Sequence, residues 1–420
     1  KSGMNMELGT AKRVITPPRP VRLAGYATRT TPFDSVLEDI YVRVHDYRCG
    51  SARAVLVYGD LLWWNSEFVA MARPCLAAAL GVKEEQILFT ASHNHSGPGT
   101  GGNFTPLLET VDAEYTEFLY TQVETAACAA AQNVEPVRGT VHRGECALNV
   151  YRRVHTPDGI AMWPNYDMPA DHHLTVVRLE RADGTVKGVL LHYPCHANLA
   201  NGNAVHPDYP GAALRMLDET FPGSVGVFLQ GCTADLRPNS VLGERFVPQS
   251  YEGVQNFARQ FAAHCEALLQ SEGAALGEKV FITRTTRQLP LDQTGLEQSM
   301  EEAKSGDEAH RQWVAAITRK QCWDHETLEI SRLDLGGLTM FFFNAEVAQK
   351  YAAIAREQVP GALSAGYCNG MIGYLATARQ ISHGGYEPEG SALYFALAGT
   401  YAPAIESVIA DGVGALANEH

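Results

Sequence analysis

Residues Gln86 to Gly99 read QILFTASHNHSGPG, an apolar run that leads into two histidines and a Gly-Pro-Gly turn. A short apolar run of this kind predicts a buried β-strand. His93 and His95 follow it at positions i and i+2, which on an extended backbone project to the same side. The stretch therefore predicts a strand that carries two imidazoles to one cavity. The pair alone is equally compatible with a surface loop, because a chain with 15 histidines contains such pairs by chance.

Further apolar runs alternate with helical patterns along the chain. The runs that predict strands lie at 54–58, 86–90, 189–191, 225–229 and 338–343. The patterns long enough for several helical turns lie at 66–80, 114–132, 253–269 and 347–357. Buried parallel strands are continuous apolar runs, and their alternation with helices is typical of α/β proteins. The sequence therefore predicts an α/β fold with a mainly parallel or mixed β-sheet core flanked by helices.

Two more candidate metal ligands follow predicted strands. His196 comes after the run at 189–191 and Glu346 after the run at 338–343, just as His93 comes after the run at 86–90. In open α/β sheets, sites are built beyond the carboxyl ends of the strands. The three residues together predict a metal site at that edge, although the order of the strands is not visible in the sequence.

The polar stretch at 293–324 predicts one or two exposed helices added to the core. Its acidic side chains, which include Glu301, Glu302, Asp307 and Glu308, are typical of a solvated surface. The chain has no internal repeat, low-complexity tract or clear linker. We therefore expect one catalytic domain over residues 1–420.

The overall charge excludes some classes of partner. A formal net charge of −14, without any Lys/Arg run, argues against binding to nucleic acid or to an anionic membrane surface. No stretch approaches the roughly 20 apolar residues that span a bilayer, so we expect a soluble protein without a membrane span. Hydrophobic residues make up 45% and charged residues 19% of the chain, as in ordinary globular proteins.

The cysteines and the amino terminus bear on localisation. The nine cysteines are odd in number, scattered and without a Cys-x-x-Cys pair, which favours reduced thiols and the cytoplasm. Lys1-Ser2-Gly3-Met4 has no apolar signal segment, and we interpret it as a remnant of cloning before a native Met4 or Met6. Earlier removal of a secretory signal stays open.

Other polar residues have two interpretations each. Asp208 precedes a helix predicted to begin near Pro210, so it caps that helix, serves the site, or does both. Tyr374 and Tyr386 lie in a Gly-rich region, where tyrosines are usually packing residues with a hydroxyl in water.

Over most of its length the chain resembles the neutral or alkaline, non-lysosomal ceramidase family. The matching segments occur in the order of the family motifs: Ile15-Thr16-Pro17-Pro18 with Gly25-Tyr26, Ser92 to Gly99 for THTHSGPGG, Tyr151-Arg152-Arg153 for Asn-Arg-Ser, His192 to Gly211 for the ATH segment with its later Asp-Asn-x-Gly, Gln230 to Asn239 for Gln-x-Asn-x-Gly-Asp-x-Ser-Pro-Asn, Glu346 for Pro-Gly-Glu, and Tyr374 with Tyr386-Glu387 for the closing tyrosines.

Carried over position by position, this resemblance implies a zinc site. Its four implied ligands are His93, His196, Glu346 and Tyr374. Nitrogen and oxygen donors of these types suit Zn²⁺, which would lower the pKa of a bound water and polarise the scissile carbonyl.

The resemblance also implies residues around the reacting centre. The residues whose types suit proton transfer and oxyanion stabilisation are His95, Arg152 and Tyr386. The candidate substrate-binding positions are Gly25, Asp208 and Arg237.

Arg237 departs from the family pattern, because the family carries a serine important for activity at that position. A guanidinium cannot act as an alkoxide nucleophile, and Thr233 or Ser240 is a poor substitute, so direct attack by metal-bound water is the simpler mechanism. Two interpretations of Arg237 stay open: it binds a substrate carboxylate or phosphate bidentately, or it forms an ion pair with a neighbour such as Asp235.

Chain length is a second departure. Full-length ceramidases of the family continue into a further β-rich domain, whereas this chain ends at His420. The resemblance is therefore to the catalytic N-terminal domain, and we expect an amide smaller or more polar than ceramide.

The preferred hypothesis is hydrolysis of a C–N amide bond in a small-molecule substrate by zinc-activated water. An esterase, lactonase or other hydrolase could use the same metal, because the ligands define activation of the electrophile and not the leaving group. A catalytically inactive binding protein is a third hypothesis, disfavoured by the retention of every matched site residue. The sequence leaves open whether the chain forms a homo-oligomer.

Overall fold

The structure, a computed structural model, describes residues 5–420. The interpretation of Lys1 to Met4 lies outside the described residues.

The fold contains both strands and helices throughout. The strands are β1 (Met6–Val14), β2 (Ser35–Val36), β3 (Tyr41–Cys49), β4 (Ala52–Gly59), β5 (Ile87–Ala91), β6 (Glu135–Glu145), β7 (Asn149–Thr156), β8 (Gly159–Asn165), β9 (His173–Arg181), β10 (Val186–Tyr193), β11 (Ala204–Val205), β12 (Val225–Gln230), β13 (Leu236–Pro238), β14 (Val241–Leu242), β15 (Arg245–Phe246), β16 (Ala274–Ala275), β17 (Val280–Asp292), β18 (His325–Leu335), β19 (Leu338–Phe343), β20 (Glu346–Val347), β21 (Leu363–Ala365), β22 (Tyr374–Leu375) and β23 (Thr400–Tyr401).

The helices are α1 (Ser66–Leu80), α2 (Ala113–Gln132), α3 (Asp208–Thr220), α4 (Tyr251–Leu269), α5 (Leu296–Ala303), α6 (Glu308–Thr318), α7 (Gln349–Gln358), α8 (Ala378–His383), α9 (Ser391–Tyr394) and α10 (Ile405–Ala417). A 3₁₀ turn at Glu84–Gln86 and a π-helical turn at Tyr386–Gly390 complete the set. Between residues 5 and 420, no helix has both the length and the apolar character needed to cross a lipid bilayer.

Local sequence fixes the ends of α1, whose bounds match the predicted 66–80. The Asn65 side chain accepts a hydrogen bond from the backbone N–H of Glu67, which satisfies one of the unpaired donors of the first turn. Gly81 ends the helix in the left-handed conformation, with φ of 67°, where a residue without Cβ is favoured. Trp63 and Trp64, which precede Asn65, are buried in the hydrophobic core.

The largest sheet is mixed. Its strands run in the order β12-β10-β9-β6-β1-β3-β4-β5, with β16 beside β6. Only β10–β12 and β4–β5 are parallel pairs, and the other neighbours are antiparallel. Of the two sheet types expected, the mixed one is therefore correct. Antiparallel strands such as β3 carry polar residues, including Arg43 and His45, so no continuous apolar run marks them in the sequence.

A second sheet has the order β21-β19-β18-β17-β23. Its centre is a long antiparallel ladder that runs from the pair Val280 and Leu335 to the pair Pro290 and His325. The polar stretch at 293–324 connects these two strands and contains α5 and α6. The exposed helices are thus an insertion into a β-hairpin.

Two hydrophobic cores lie on opposite faces of the large sheet. Because side chains alternate along a strand, Val57 of β4 points into the core that contains α1 and α2, and Tyr58 points into the core that contains α3 and α4. Phe341 and Phe342 of β19 divide between the same two cores. These shared cores support the proposal that the two sheets form one catalytic domain.

The large sheet curls, so that its edge strand β12 contacts β3 and β5. His45 of β3 forms a hydrogen bond across this contact. Its Nε2–H donates to the carbonyl oxygen of Val225 in β12 at 2.6 Å, and its Nδ1 accepts from the Tyr47 hydroxyl at 2.7 Å. Burial lowers the pKa of His45 to about 4, so the imidazole is neutral in the folded protein at neutral pH.

This buried imidazole makes stability depend on pH. A histidine in the unfolded chain has a pKa of about 6.5, so the unfolded state takes up a proton before the folded state as the pH falls. If the whole pKa shift applies, neutral His45 contributes roughly 3 kcal/mol to the free energy of unfolding above a pH of about 6.5. This contribution is lost as the pH falls towards about 4.

We expect His45→Gln to be less stable than the parent at pH 7, by roughly 1 to 3 kcal/mol, and to lose less stability between pH 6.5 and 4. Denaturant unfolding across this range measures the difference between the two slopes. His264→Gln removes an exposed histidine on α4 and is the control. Equal slopes for His45→Gln and the parent would show that His45 does not carry this pH dependence.

Candidate metal centre

His93 follows β5 in an unusual backbone conformation. Its φ of 65° lies in the left-handed region, which costs free energy for a residue with a Cβ. Its Nδ1 lies 3.1 Å from the carbonyl oxygen of Leu62. A carbonyl oxygen only accepts, so Nδ1 carries the proton and the lone pair of Nε2 is free.

His196 follows β10 and is held in the same way. Its Nδ1 lies 2.8 Å from the carbonyl oxygen of Thr233 and 3.0 Å from that of Leu236, so Nε2 again presents a lone pair. The segments after β5 and β10 lie side by side, because the backbone N–H of His95 donates to the carbonyl oxygen of Ala197 at 3.0 Å. This pairing brings the two imidazoles together.

Glu346 reaches the imidazoles from β20, the short strand that follows β19 of the second sheet. Its Oε1 lies 2.9 Å from Nε2 of His93 and 3.5 Å from Nε2 of His196. This oxygen is buried and has no partner with hydrogen-bond geometry, although two nitrogen atoms are so close. Two lone pairs and a carboxylate oxygen thus face a common point.

Tyr374 is placed beside Glu346 by the parallel ladder between β20 and β22, in which the two residues are register partners. Both side chains are almost completely buried. The Tyr374 hydroxyl accepts a hydrogen bond from Nη2 of Arg152 at 3.0 Å. Burial raises the pKa of this phenol well above its ordinary value.

His95 adds a third imidazole. Its Nε2 lies 3.0 Å from Nε2 of His93, and one ligand atom from each of His93, His95 and His196 lies within 4.8 Å of the other two. Its Nδ1 is buried without a hydrogen-bond partner, and its ring packs against Tyr26 with 4.9 Å between the centroids. The structure therefore contains a cluster of three histidines able to bind a metal ion.

Arg152 of β7 links this cluster to the closing tyrosines. Its Nε donates to Oε1 of Glu387 at 2.8 Å, and its Nη1 lies 3.3 Å from Nε2 of His196. The neighbouring Arg153 donates to the other oxygen of Glu387 at 2.6 Å. All three charged side chains are buried, so Glu387 compensates two guanidinium groups that would otherwise be costly to bury.

Tyr386 begins the π-helical turn, and its ring lies 5.5 Å from that of Tyr374, edge to face. The side chain is half-buried. In the part of the chain that the structure describes, its hydroxyl makes no hydrogen bond to protein. A polar group at this position is free to contact a substrate.

The charge states of the cluster suit a cation. Burial lowers the pKa of His95 well below its ordinary value and that of His196 to about 3, so both rings are neutral. Burial alone would raise the pKa of Glu346, but attraction to His93 and His196 outweighs it and lowers this pKa below its usual range. An ionised carboxylate therefore lies close to the neutral rings of His95 and His196.

Two aromatic residues that no sequence motif marks stack on the ring of His93. Tyr367 stacks on its ring at 4.1 Å between centroids with an interplanar angle of 24°, and Trp63 stacks at 5.9 Å and 26°. Both are buried. Their positions carry no motif, so only the packing of distant segments could reveal them.

Two of the three predicted substrate-binding residues have structural contacts. Asp208 is the first residue of α3; it accepts from the backbone N–H of Leu199 through Oδ2 at 3.1 Å and from that of Tyr209 through Oδ1 at 2.6 Å, so it ties the start of the helix to the preceding segment. The N-cap residue itself is Pro207. Gly25 lies behind His95 with φ of 105°, and a Cβ there would lie 2.7 Å from Nδ1 of His95.

Arg237 is not paired with Asp235, so that interpretation is wrong. The Asp235 carboxylate accepts instead from the backbone N–H of Gln349 at 3.0 Å and from Nε2 of Gln380 at 2.9 Å. The Arg237 guanidinium stacks on Phe246, with 4.3 Å from Cζ to the ring centroid.

The sequence predicted that His93, His196 and Glu346 lie at one edge of a single sheet, but they follow strands of two sheets. His93 and His196 follow β5 and β10 of the large sheet, whereas Glu346 follows β19 of the second sheet. The three side chains meet where the ends of the two sheets come together.

The whole fold matches that of the ceramidases. The crystal structure of the neutral ceramidase from Pseudomonas aeruginosa aligns with a TM-score of 0.79 and 18% identity, over 99% of this chain and 75% of that chain. A ceramidase complexed with C2 aligns with a TM-score of 0.75 and 15% identity, over 98% of this chain and 75% of that chain. No protein-family model and no curated protein matches the sequence. The predicted resemblance is thus confirmed in the fold.

The contact between Gly25 and His95 generates a prediction. We expect Gly25→Ala to destabilise the protein by roughly 1 to 3 kcal/mol and to displace the His95 ring, because the new methyl group meets Nδ1 at a strained φ. Unfolding experiments and the affinity of the cluster for Zn²⁺ measure the two effects.

Gly50→Ala is the matched control, since Gly50 also has a positive φ, of 59°, but nothing lies within 4 Å of its added Cβ. It should cost only backbone strain and leave metal affinity unchanged. Equal metal affinity in Gly25→Ala and the parent would show that Gly25 does not position His95.

Proposed function

We propose that the protein is a zinc-dependent hydrolase that cleaves a C–N amide bond in a small-molecule substrate. One observation carries this proposal: two imidazoles, each with Nδ1–H given to a backbone carbonyl, aim Nε2 lone pairs at the same buried, unpartnered oxygen of Glu346. Metal-binding histidines are typically oriented in this way by a second hydrogen bond. The ceramidase fold supports the same activity.

The donor set fits the ion. His93, His196, Glu346 and Tyr374 would supply two nitrogens, a carboxylate and a phenol oxygen, and zinc accepts such ligands. When bound, a zinc ion supplies Lewis acidity and lowers the pKa of a bound water. The remaining steps belong to side chains of this chain.

His95 is suited to move the proton of the attacking water. Its ring is neutral and its Nε2 borders the ligand atoms, so once zinc held the His93 lone pair this nitrogen could accept a proton and pass it to the leaving nitrogen. In the overall reaction the C–N bond breaks, the water oxygen bonds to the carbonyl carbon, and the water proton ends on the amine. Glu346 stays ionised throughout as a ligand.

Tyr386 and Arg152 are suited to stabilise the negative charge that develops on the carbonyl oxygen. The Tyr386 hydroxyl has no protein partner among residues 5–420 and lies beside the Tyr374 ring. Arg152 is fixed by Glu387 and Tyr374, so its positive charge is preorganised and costs no reorganisation during the reaction. An ester could bind the same groups, and the leaving group must be determined by assay.

His196 offers a test of the proposed zinc site. We expect the parent to hold about one zinc ion per chain, and His196→Ala to lose most of this metal and more than about 100-fold of its activity, because one of two imidazole ligands is gone. Elemental analysis of protein purified without added metal identifies and counts the ion. Hydrolysis of a mixed panel of amides and esters measures activity.

A second metal-capable cluster on the surface requires a control. Cys322, Asp324 and His325 also lie within ligand distance of one another. Cys322→Ser should keep both zinc and activity if the buried centre is the zinc site. Zinc that survives in His196→Ala and disappears in Cys322→Ser would overturn the proposed centre, and a metal-loaded protein that cleaves esters but no amides would overturn the amide assignment.

Tyr386 offers a test of the proposed oxyanion stabilisation. We expect Tyr386→Phe to lower kcat by about 100- to 1,000-fold, the usual effect of one oxyanion donor, with metal content and stability unchanged. Steady-state kinetics on the best amide of the panel provides the measurement. Tyr120→Phe removes a half-buried phenol hydroxyl on α2 and is the control. Unchanged kcat in Tyr386→Phe would exclude the hydroxyl from the reaction.

A further inference from the structure

A small pocket next to the candidate centre is lined by two arginines. Its volume is about 260 Å³, and its wall includes Tyr26, Trp163, Asn198, Arg237, Arg245 and Phe246. We call it the arginine pocket. None of its lining residues is acidic, although the chain as a whole carries a net charge of −14.

The charge of Arg237 is poorly compensated by protein. Its Nε is buried without a hydrogen-bond partner, and its Nη1 lies 3.6 Å from the sulfur of Met162, a weak acceptor. No carboxylate between residues 5 and 420 forms an ion pair with it. Burial and the nearby Arg152 lower its pKa to about 10, and it is still charged at neutral pH.

Arg245 places a second cation on the rim of the pocket. Its guanidinium stacks on Trp163, with 3.5 Å from Cζ to the ring centroid, and its Nη1 donates to the carbonyl oxygen of Glu244 at 3.1 Å. Arg237 stacks on Phe246 in the same manner. Stacking fixes each planar group by its face and leaves edge N–H donors available.

Asn198 supplies an independent sign of a ligand. The residue is only 9% exposed, yet its Oδ1 is buried without a hydrogen-bond partner. A buried amide oxygen without a donor costs free energy in the empty protein. A ligand with a hydroxyl or N–H group would satisfy it.

The pocket adjoins the reacting centre on two sides. Tyr26 lines the pocket and packs against the ring of His95. Arg237 follows Leu236, whose carbonyl oxygen holds the His196 imidazole. A molecule with one end in the pocket would therefore place its next bonds near the histidine cluster.

We propose that the arginine pocket binds a carboxylate or phosphate group of the substrate, so that the substrate is a small acidic amide with a hydrogen-bond donor for Asn198. This inference rests on the proposed function. Guanidinium groups bind such oxyanions through charge-assisted, bidentate hydrogen bonds. Pockets for drug-sized ligands measure about 300 to 1,000 Å³, so this one suits an anionic group with a few carbon atoms and not a long acyl chain.

Binding can be tested without catalysis. Glutarate and inorganic phosphate are titrated separately into the metal-loaded protein by calorimetry. The anion that binds with the higher affinity shows whether the pocket prefers a carboxylate or a phosphate. We expect Arg237→Met to weaken that binding by about ten- to a hundredfold and Arg237→Lys to weaken it less. Arg245→Met, on the exposed rim, should weaken binding by a smaller factor and does not threaten folding.

Two controls separate the pocket from other anion sites. Arg259→Met removes an exposed arginine on α4 and should leave binding unchanged. His196→Ala should also keep the anion, because the pocket does not need the metal ligands. The proposal is overturned if neither anion binds the parent, if both arginine variants bind as the parent does, or if binding disappears in His196→Ala.

Two matched pairs of amides then test the substrate class. Glutaryl anilide carries a carboxylate on the acyl side, and valeryl anilide is its uncharged counterpart. N-acetylglycine carries a carboxylate on the amine side, and its carboxamide is the uncharged counterpart. We expect kcat/KM to favour the acidic member of one pair by tenfold or more, and Arg237→Met to abolish that preference. Hydrolysis without any preference would contradict the arginine pocket and leave the hydrolase intact, whereas anion binding without hydrolysis of any amide would contradict the hydrolase and leave the pocket intact.

Discussion

The buried carboxylate of Glu346 is the constraint around which the centre of this protein is built. An ionised group away from water is costly unless other groups compensate it; the Nε2 lone pairs that His93 and His196 present to its Oε1 do not, whereas the proposed zinc ion would. Each imidazole is in turn fixed by backbone carbonyl oxygens. Because these carbonyls belong to the separate segments that follow β4 and β12, the site forms only when both segments are in place.

The same principle extends outward through Arg152. Its guanidinium is buried between Glu387 and Tyr374, so this positive charge has defined partners. Backbone strain at His93 is tolerated because its imidazole is held by stacking on two buried aromatic rings. The result is a rigid polar cluster inside a hydrophobic fold, which is the arrangement that a metal-dependent reaction requires.

Charge is distributed unevenly between the surface and this region. The acidic surface disfavours nucleic acid, while the pocket beside the centre presents Arg237 and Arg245 without any acidic neighbour in its lining. A locally positive cavity in an acidic protein attracts small anions in preference to polyanions, because the surrounding negative surface repels extended chains of charge. The substrate class inferred here follows from that contrast.

The sequence by itself determined the local features. Apolar runs and capping residues gave α1 and β5, and the position of His93, His196 and Glu346 after their strands followed from the same runs. Only the tertiary structure decided that antiparallel pairs dominate the sheet, that Glu346 follows a strand of a second sheet, that Tyr367 stacks on His93, and that Arg237 has no acidic partner among residues 5–420. The physical reason is that propensity and periodicity act over a few residues, whereas strand pairing, stacking and charge compensation join segments that are distant in the chain.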